Sequence, residues 1–126
     1  MPPEHYKNMA EQSKVKAIAL VESVKIIDTT RHATTKEVKF KLRHSFVGRM
    51  PDAFSGTCYS VHAFQEPMAG GTIYFYPEPG DLVYVTIAGV GGMITSYTYL
   101  NDIMETLFID NADKIRYGMG NAWLEL

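Results

Sequence analysis

Strict alternation of apolar and basic residues between positions 38 and 43 is the feature that most limits how this chain folds. The apolar members are Val38, Phe40 and Leu42, and the basic members are Lys39, Lys41 and Arg43. Successive side chains of a β-strand point to opposite faces, so a period of two separates the two sets. The pattern predicts a half-buried strand whose basic face is solvated.

Several other segments have the composition of strands. They are rich in β-branched and aromatic residues, and polar, glycine-bearing or proline-bearing stretches bound them. The turn signals are DTTRHATT, VGRMPD, QEPMAGG, PEPGD and GVGG, where glycine and proline favour turns. The predicted strands cover 15–27, 54–64, 72–76, 81–88 and 93–100.

Two segments read as helical. Residues 2–13 form a polar leader that has room for one or two helical turns before Ser13 and that we expect on the outside of the fold. After residue 100, Asn101 is a candidate helix cap, and apolar residues follow it at helical spacing. These apolar residues are Ile103, Met104, Leu107 and Phe108. The end, RYGMGNAWLEL, is left without an assignment.

The length of 126 residues fits one domain with one core. We expect a β-barrel over 14–100, with a C-terminal helix and tail, 101–126, packed on it. Five or six short strands favour a mostly β fold, a small OB-like barrel, because a closed or partly closed barrel protects its strand edges. A small open sandwich is the alternative architecture.

The net charge of -2 hides two unlike halves. Residues 1–50 carry ten basic and five acidic residues, hence +5, and residues 51–126 carry two basic and nine acidic, hence -7. Opposite halves in one domain attract each other, and a negative total disfavours nucleic acid as a partner. No apolar run approaches the roughly 20 residues that span a bilayer, so no membrane span is expected.

Cys58 is the single cysteine, so no internal disulfide forms and no CxxC motif exists. Cys58 and His62 share a predicted strand, and His44 ends the preceding one. Positions four apart on a strand are about 13 Å apart, too far for a nucleophile pair. We expect a buried, unreactive thiol, no catalytic residues, no metal site and no cofactor.

Glycines and carboxylates in the turns give no recognised site. Gly70–Gly71 and Gly89, Gly91 and Gly92 match no phosphate-binding motif and precede no helix, so they indicate turns. Glu66, Glu78 and Asp81 fall in loops without an evident partner.

Tyrosines alternate with other residues on three predicted strands. They are Tyr74, Tyr76, Tyr84, Tyr97 and Tyr99. If the aliphatic residues face the core, these five share the outer face, which makes them the candidate ligand-binding residues, because aromatic planes stack on bases or sugars. We expect residues 101–126, including Trp123, to cover this face; a dimer interface and an open ligand surface are the alternatives.

Three stretches carry a family likeness: PPEHYKNMAEQSKVKAIALVESVK, KEVKFKLRHSFVGRMP and SGTCYS. Together they resemble bacterial secreted domains related to the netrin-like and tissue-inhibitor-of-metalloprotease OB-fold group, over about residues 2–100. In that group a proline-bearing leader precedes strand one, an aromatic-x-Gly turn ends strand two, and a cysteine follows on strand three. The resemblance implies an extracytoplasmic, non-enzymatic OB domain. Protease inhibition is not implied, because this chain lacks the amino-terminal cysteine and the disulfides of the inhibitors.

Two hypotheses about function follow. The first is a non-enzymatic binding or interaction module, periplasmic or secreted, whose ligand is unknown and whose partner is a protein or a second copy of the chain. The second is an OB-type binder of single-stranded nucleic acid or oligosaccharide. The segment MPPEHYKNMAEQ contains no hydrophobic signal core. The extracytoplasmic hypothesis therefore requires a signal peptide that was removed before Met1.

Overall fold

The computed structural model describes residues 3–126, so Met1 and Pro2, at the start of the predicted leader, lie outside the described residues. The chain is mostly β, with a five-stranded antiparallel sheet and a small two-stranded sheet. In order, its elements are α1 (Pro3–Glu11), β1 (Val15–Thr29), β2 (Thr34–Ser45), β3 (Ala53–Ser60), β4 (Leu82–Ile87), β5 (Ile94–Tyr99), α2 (Asp102–Asp110), a 3-10 turn (Ala112–Lys114), β6 (Ile115–Tyr117) and β7 (Ala122–Leu124).

Strand β1 lies at the centre of the larger sheet, whose order is β3-β2-β1-β4-β5. It pairs with β2 from Ala17 to Thr29 and with β4 from Val15 to Leu20. The β1–β2 register shifts between Val21 and Ser23, and such an irregularity bends a strand. The first half of β1 is therefore shared by both halves of the sheet, and the second half extends away with β2.

The predicted faces of β2 are confirmed for its apolar residues. Val38 and Phe40 are buried, and the Phe40 ring stacks on Phe54 of β3 at 5.2 Å between centroids. The same core contains residues from all five strands, including Ala17, Ala19, Val83, Val85, Ile87 and Ile94. The inner face of the sheet thus holds one continuous apolar core.

The edge strands β3 and β5 approach each other without pairing into a ladder, and we call the gap between them the seam. One parallel bridge, Thr57 to Met93, crosses it, and the Thr57 N–H donates to Gly92 O at 2.8 Å. Gly56 permits this approach, because a Cβ there would lie 2.9 Å from Cγ1 of Ile94. No closed barrel is found within residues 3–126.

The prediction of a strand over 72–76 is wrong. This segment lies along the seam, where the Phe75 N–H donates to Tyr59 O at 2.9 Å and the Ser60 hydroxyl donates to Phe75 O. Phe75 fills the core beside Tyr97 of β5. Strand β3 ends at Ser60, four residues before the predicted end at Phe64. The 72–76 segment is therefore held by the Phe75 side chain and by isolated hydrogen bonds rather than by a ladder.

A second cluster covers the outer face of β1 and β4. Ile18 and Tyr84 are buried there beneath Phe108 of α2 and Tyr117 of β6. The predicted helix after Asn101 is confirmed: the Asn101 side chain accepts the Met104 N–H at 2.8 Å. The hairpin of β6 and β7 was not predicted.

The N-terminal helix α1 confirms the predicted helical turns before Ser13. Tyr6 and Ala10 are buried, and the Ser13 hydroxyl bonds Met9 O and the Thr95 hydroxyl, each at 2.7 Å. The helix is thereby attached to β5 at the seam. None of the helices in the described part of the chain has the length and apolar character needed to cross a membrane.

The basic face of β2 is exposed, as predicted for Lys39, Lys41 and Arg43. Arg43 has a further role, because its guanidinium donates to both carboxylate oxygens of Glu105 on α2, at 2.7 Å each. These hydrogen bonds hold the pKa of Glu105 below its ordinary value against partial burial. The pair attaches α2 to the sheet, which sequence periodicity does not reveal.

Replacing Phe40 tests the assignment of the two faces. Phe40→Ala should lower the free energy of unfolding by about 3–5 kcal/mol, because it leaves a cavity in a closed core. Lys39→Gln and Lys41→Gln are the controls and should each change it by less than about 0.5 kcal/mol. Urea unfolding measures all three, and similar small effects would contradict the assigned faces.

Acid should weaken the contribution of Glu105. Glu105→Gln should destabilise the protein by about 1 kcal/mol near pH 7, a modest value because Arg43 is 43% exposed and solvent screens the pair. The pKa of Glu105 is lowered by folding, so its stabilisation is present above the ordinary pKa of a glutamate and is lost as the pH falls toward the lowered value. Unfolding near pH 7 and near pH 3 measures this; a difference between wild type and variant that does not shrink in acid would contradict it.

Candidate functional site

The five candidate tyrosines do not share one face, contrary to the prediction. Tyr84 pairs with Thr98 and points outward, whereas Tyr97 pairs with Val85 and points into the core. Both faces of β4 and β5 are buried over most of their length. Alternation therefore carries no information there about which face is inner.

Tyr84 and Tyr97 are structural. The Tyr84 hydroxyl hydrogen-bonds that of Tyr117 at 2.7 Å, and its ring packs on Phe108 at 5.3 Å. The Tyr97 hydroxyl donates to Oδ2 of Asp81 at 2.6 Å. Desolvation by burial raises the pKa of both hydroxyls, so both stay protonated near neutral pH. Both side chains are buried, so neither is accessible to a ligand.

Tyr74 has a local role. It is half-buried, and its hydroxyl oxygen accepts the backbone N–H of Met68 at 2.6 Å. This bond closes the loop that precedes the 72–76 segment. Tyr74 therefore positions a loop and offers little accessible surface to a ligand.

Tyr76 and Tyr99 are the exposed members, with 50% and 61% of their surface accessible. The Tyr99 hydroxyl lies 3.5 Å from Tyr76 O, so the two residues are neighbours where the 72–76 segment meets the end of β5. Partial burial, and then the carboxylates of Asp81 and Glu78, raise the pKa of Tyr99. We call these four residues, Tyr76, Glu78, Asp81 and Tyr99, the tyrosine rim.

The turn that carries the rim carboxylates is firmly built. Oδ2 of Asp81 accepts the Glu78 N–H at 2.9 Å in addition to the Tyr97 hydroxyl. Gly80 adopts a φ of +92°, which favours glycine, and its N–H donates to Val21 O at 2.8 Å. The turn is thus tied to the bend of β1, and it presents acidic groups next to two exposed aromatic rings.

Comparison of this chain with protein-family models, with curated proteins and with solved structures found no match. The chemistry that the rim offers is therefore the starting point for function. Two exposed aromatic faces give flat apolar contacts, and two adjacent carboxylates accept hydrogen bonds from hydroxyl or amine groups.

The residues that sequence reasoning missed at the rim are the carboxylates. Glu78 and Asp81 had no evident partner in the sequence, yet the turn PEPGD that carries them is directly readable. What the sequence does not show is that this turn lies beside the end of β5.

The 101–126 segment covers Tyr84, whereas Tyr76, Tyr99, Ile103 and Trp123 are exposed.

Cys58 and the two histidines do not converge. Cys58 pairs with Lys36 near one end of β2, and His44 pairs with Ile18 near the other, so roughly 26 Å of strand separates Lys36 from His44. His62 stacks on Phe64 instead. Within residues 3–126 no three His, Cys, Asp or Glu residues are grouped to hold a metal ion.

The predicted turn at the last glycine cluster, Gly89, Gly91 and Gly92, is confirmed, because Gly91 has a φ of +78°.

The thiol of Cys58 should be slow to react. It is fully buried, and burial raises its pKa to about 11, an effect that Lys36 only partly offsets. Because the thiolate is the reactive form, we expect a disulfide reagent near pH 8 to modify the native protein far more slowly than the unfolded chain. Absorbance of the released thiol measures both rates, and equal rates would show that Cys58 is accessible.

Proposed function

We propose that this chain is a non-enzymatic binding module on an OB-like, partly open barrel, and that it binds neutral oligosaccharides at the tyrosine rim. The OB-like architecture is supported by the sheet order β3-β2-β1-β4-β5 and by the bridge that brings the two edge strands together. The extracytoplasmic location and the non-enzymatic character are proposed from the resemblance to the secreted OB-fold group.

The observation that carries the proposal is the pairing of exposed rings with carboxylates. Tyr76 and Tyr99 are at least half exposed on neighbouring backbone segments. A sugar ring has an apolar face that stacks on an aromatic plane and hydroxyl groups around its edge that hydrogen-bond carboxylates. Asp81 supplies an acceptor beside the rings, because its carboxylate binds the Tyr97 hydroxyl and the Tyr97 ring contacts that of Tyr99 at 5.4 Å between centroids. Glu78 follows Tyr76 by two residues and is exposed.

Charge separates oligosaccharide from nucleic acid. Residues 72–82 and 97–100 contain no lysine or arginine, and the rim carboxylates would repel phosphate groups. The exposed Lys39 and Lys41 lie on β2, whereas the rim lies on β5 and the 76–81 turn. The aromatic and basic features are therefore on separate elements, which favours a neutral ligand at the rim.

Calorimetric titration with soluble hexasaccharides of glucose and of N-acetylglucosamine tests the proposal. Tyr76→Ala and Tyr99→Ala should each weaken binding by roughly tenfold, equivalent to about 1.4 kcal/mol of lost stacking. Phe64→Ala is the matched control, an exposed aromatic residue that stacks on His62 outside the rim, and it should leave binding unchanged.

A titration with a twelve-residue oligothymidylate separates the alternative. Neutral sugar binding should change little with added salt, whereas nucleic-acid binding falls steeply because counterions are released. Oligothymidylate binding that is lost in Lys39→Gln and Lys41→Gln would overturn the oligosaccharide proposal. Sugar binding that is insensitive to Tyr76 and Tyr99 would overturn the assignment to the rim.

A further inference from the structure

A pocket of about 210 Å³ lies in the seam, just beyond the Thr57–Met93 bridge. Four parts of the chain line it: α1, β3, the 72–76 segment and the start of β5. It exists because β3 and β5 separate after the bridge and the 72–76 segment enters between them without forming a ladder. The pocket is a consequence of the open sheet and is distinct from the tyrosine rim.

The walls of the pocket are mainly apolar. Ile73 and Phe75 of the 72–76 segment, Ile94 of β5 and Met9 of α1 contribute to the lining. A buried apolar cavity of about 150 Å³ is large enough to hold benzene, so this volume has room for one ring and a substituent. Its size and lining fit a small ring compound better than an extended chain.

One polar group on the wall lacks a partner. Tyr6 of α1 lines the pocket, is only 5% exposed, and carries a buried hydroxyl with no hydrogen-bond partner within residues 3–126. A neighbouring polar group is satisfied, because the Thr95 hydroxyl bonds both Ser13 and Thr86 at 2.7 Å. Buried hydroxyls are generally paired, so an unpaired one on a residue that lines a pocket is a group that a ligand hydroxyl can pair with.

We propose that the seam pocket binds a small aromatic or alicyclic alcohol, with the ring between Ile73, Phe75 and Ile94 and the ligand hydroxyl paired with that of Tyr6. The apolar walls select the ring, and the unpaired hydroxyl selects a substituent that donates or accepts a hydrogen bond. The proposal is independent of the oligosaccharide proposal, because the two sites use different residues.

Phenol and toluene are the probes, since they have the same shape and differ by a hydroxyl against a methyl group. Methyl NMR spectra of isoleucine and methionine follow binding. Both probes should shift the methyl signals of Met9, Ile73 and Ile94, and Met119, which is exposed outside the pocket, is the internal control. Absence of any shift at the pocket methyls with either probe at millimolar concentration would overturn the proposal.

Tyr6→Phe tests the selectivity. It should weaken phenol binding by about three- to tenfold, the range for one net hydrogen bond, and leave toluene binding unchanged. The melting temperature of the unliganded variant should not fall, because the hydroxyl that is removed has no partner among the described residues, 3–126. Tyr76→Phe, at the rim, is the matched control and should affect neither probe. An unchanged ratio of phenol to toluene affinity in Tyr6→Phe would overturn the role of Tyr6.

Filling the pocket is the complementary test. Met9→Trp places a larger side chain at the α1 wall from a partly exposed position, and Thr72→Phe does the same from the 72–76 segment. Each variant whose melting curve shows a folded protein should lose the binding of both probes. Unchanged binding in a folded variant would place the probes elsewhere and overturn the site.

Discussion

The pairing of one strand with two neighbours over half of its length supports the rest of this structure. From Val15 to Leu20, β1 is hydrogen-bonded to β4, and from Ala17 onward it is also bonded to β2. This half is almost wholly buried, because the core lies on one face and Tyr84, Phe108 and Tyr117 cover the other. After Val21 the strand leaves β4 and becomes exposed. The two apolar clusters lie on the two faces of this half, and the turn at Gly80 bonds to Val21 where β1 leaves β4.

The open seam is the second consequence of this arrangement. The sheet curls until β3 and β5 meet at the Thr57–Met93 bridge, and beyond it they are separated by the 72–76 segment. A strand edge that is not paired has to be covered by something else, and loops, helices and side chains do so less regularly than a strand. The pocket and the tyrosine rim both occur along β5, where this cover is made by α1, the 72–76 segment and the 76–81 turn.

Electrostatics has a narrower role than the unlike halves of the sequence imply. Within residues 3–126, Lys7–Glu11 and Arg116–Glu125 each join residues of the same half, and only Arg43–Glu105 joins the two halves. That pair nevertheless has bidentate geometry and fixes α2 against β2. The opposite charges of the two halves therefore meet in this one ion pair. At the rim, Glu78 is exposed and Oδ2 of Asp81 already accepts two hydrogen bonds, whereas the exposed Lys39 and Lys41 lie on β2.

The sequence by itself determined the local elements. The alternation around Phe40, the cap at Asn101 and the glycine turns each involve residues a few positions apart, so their patterns can be read directly. Only the tertiary structure decided which tyrosines are exposed, that residues 72–76 do not form a strand, and that Arg43 binds Glu105. On β4 and β5 both faces are buried, so the period of two does not distinguish them. The rim, the seam pocket and the unpaired hydroxyl of Tyr6 depend on segments far apart in the chain, and such proximity is a property of packing rather than of local pattern.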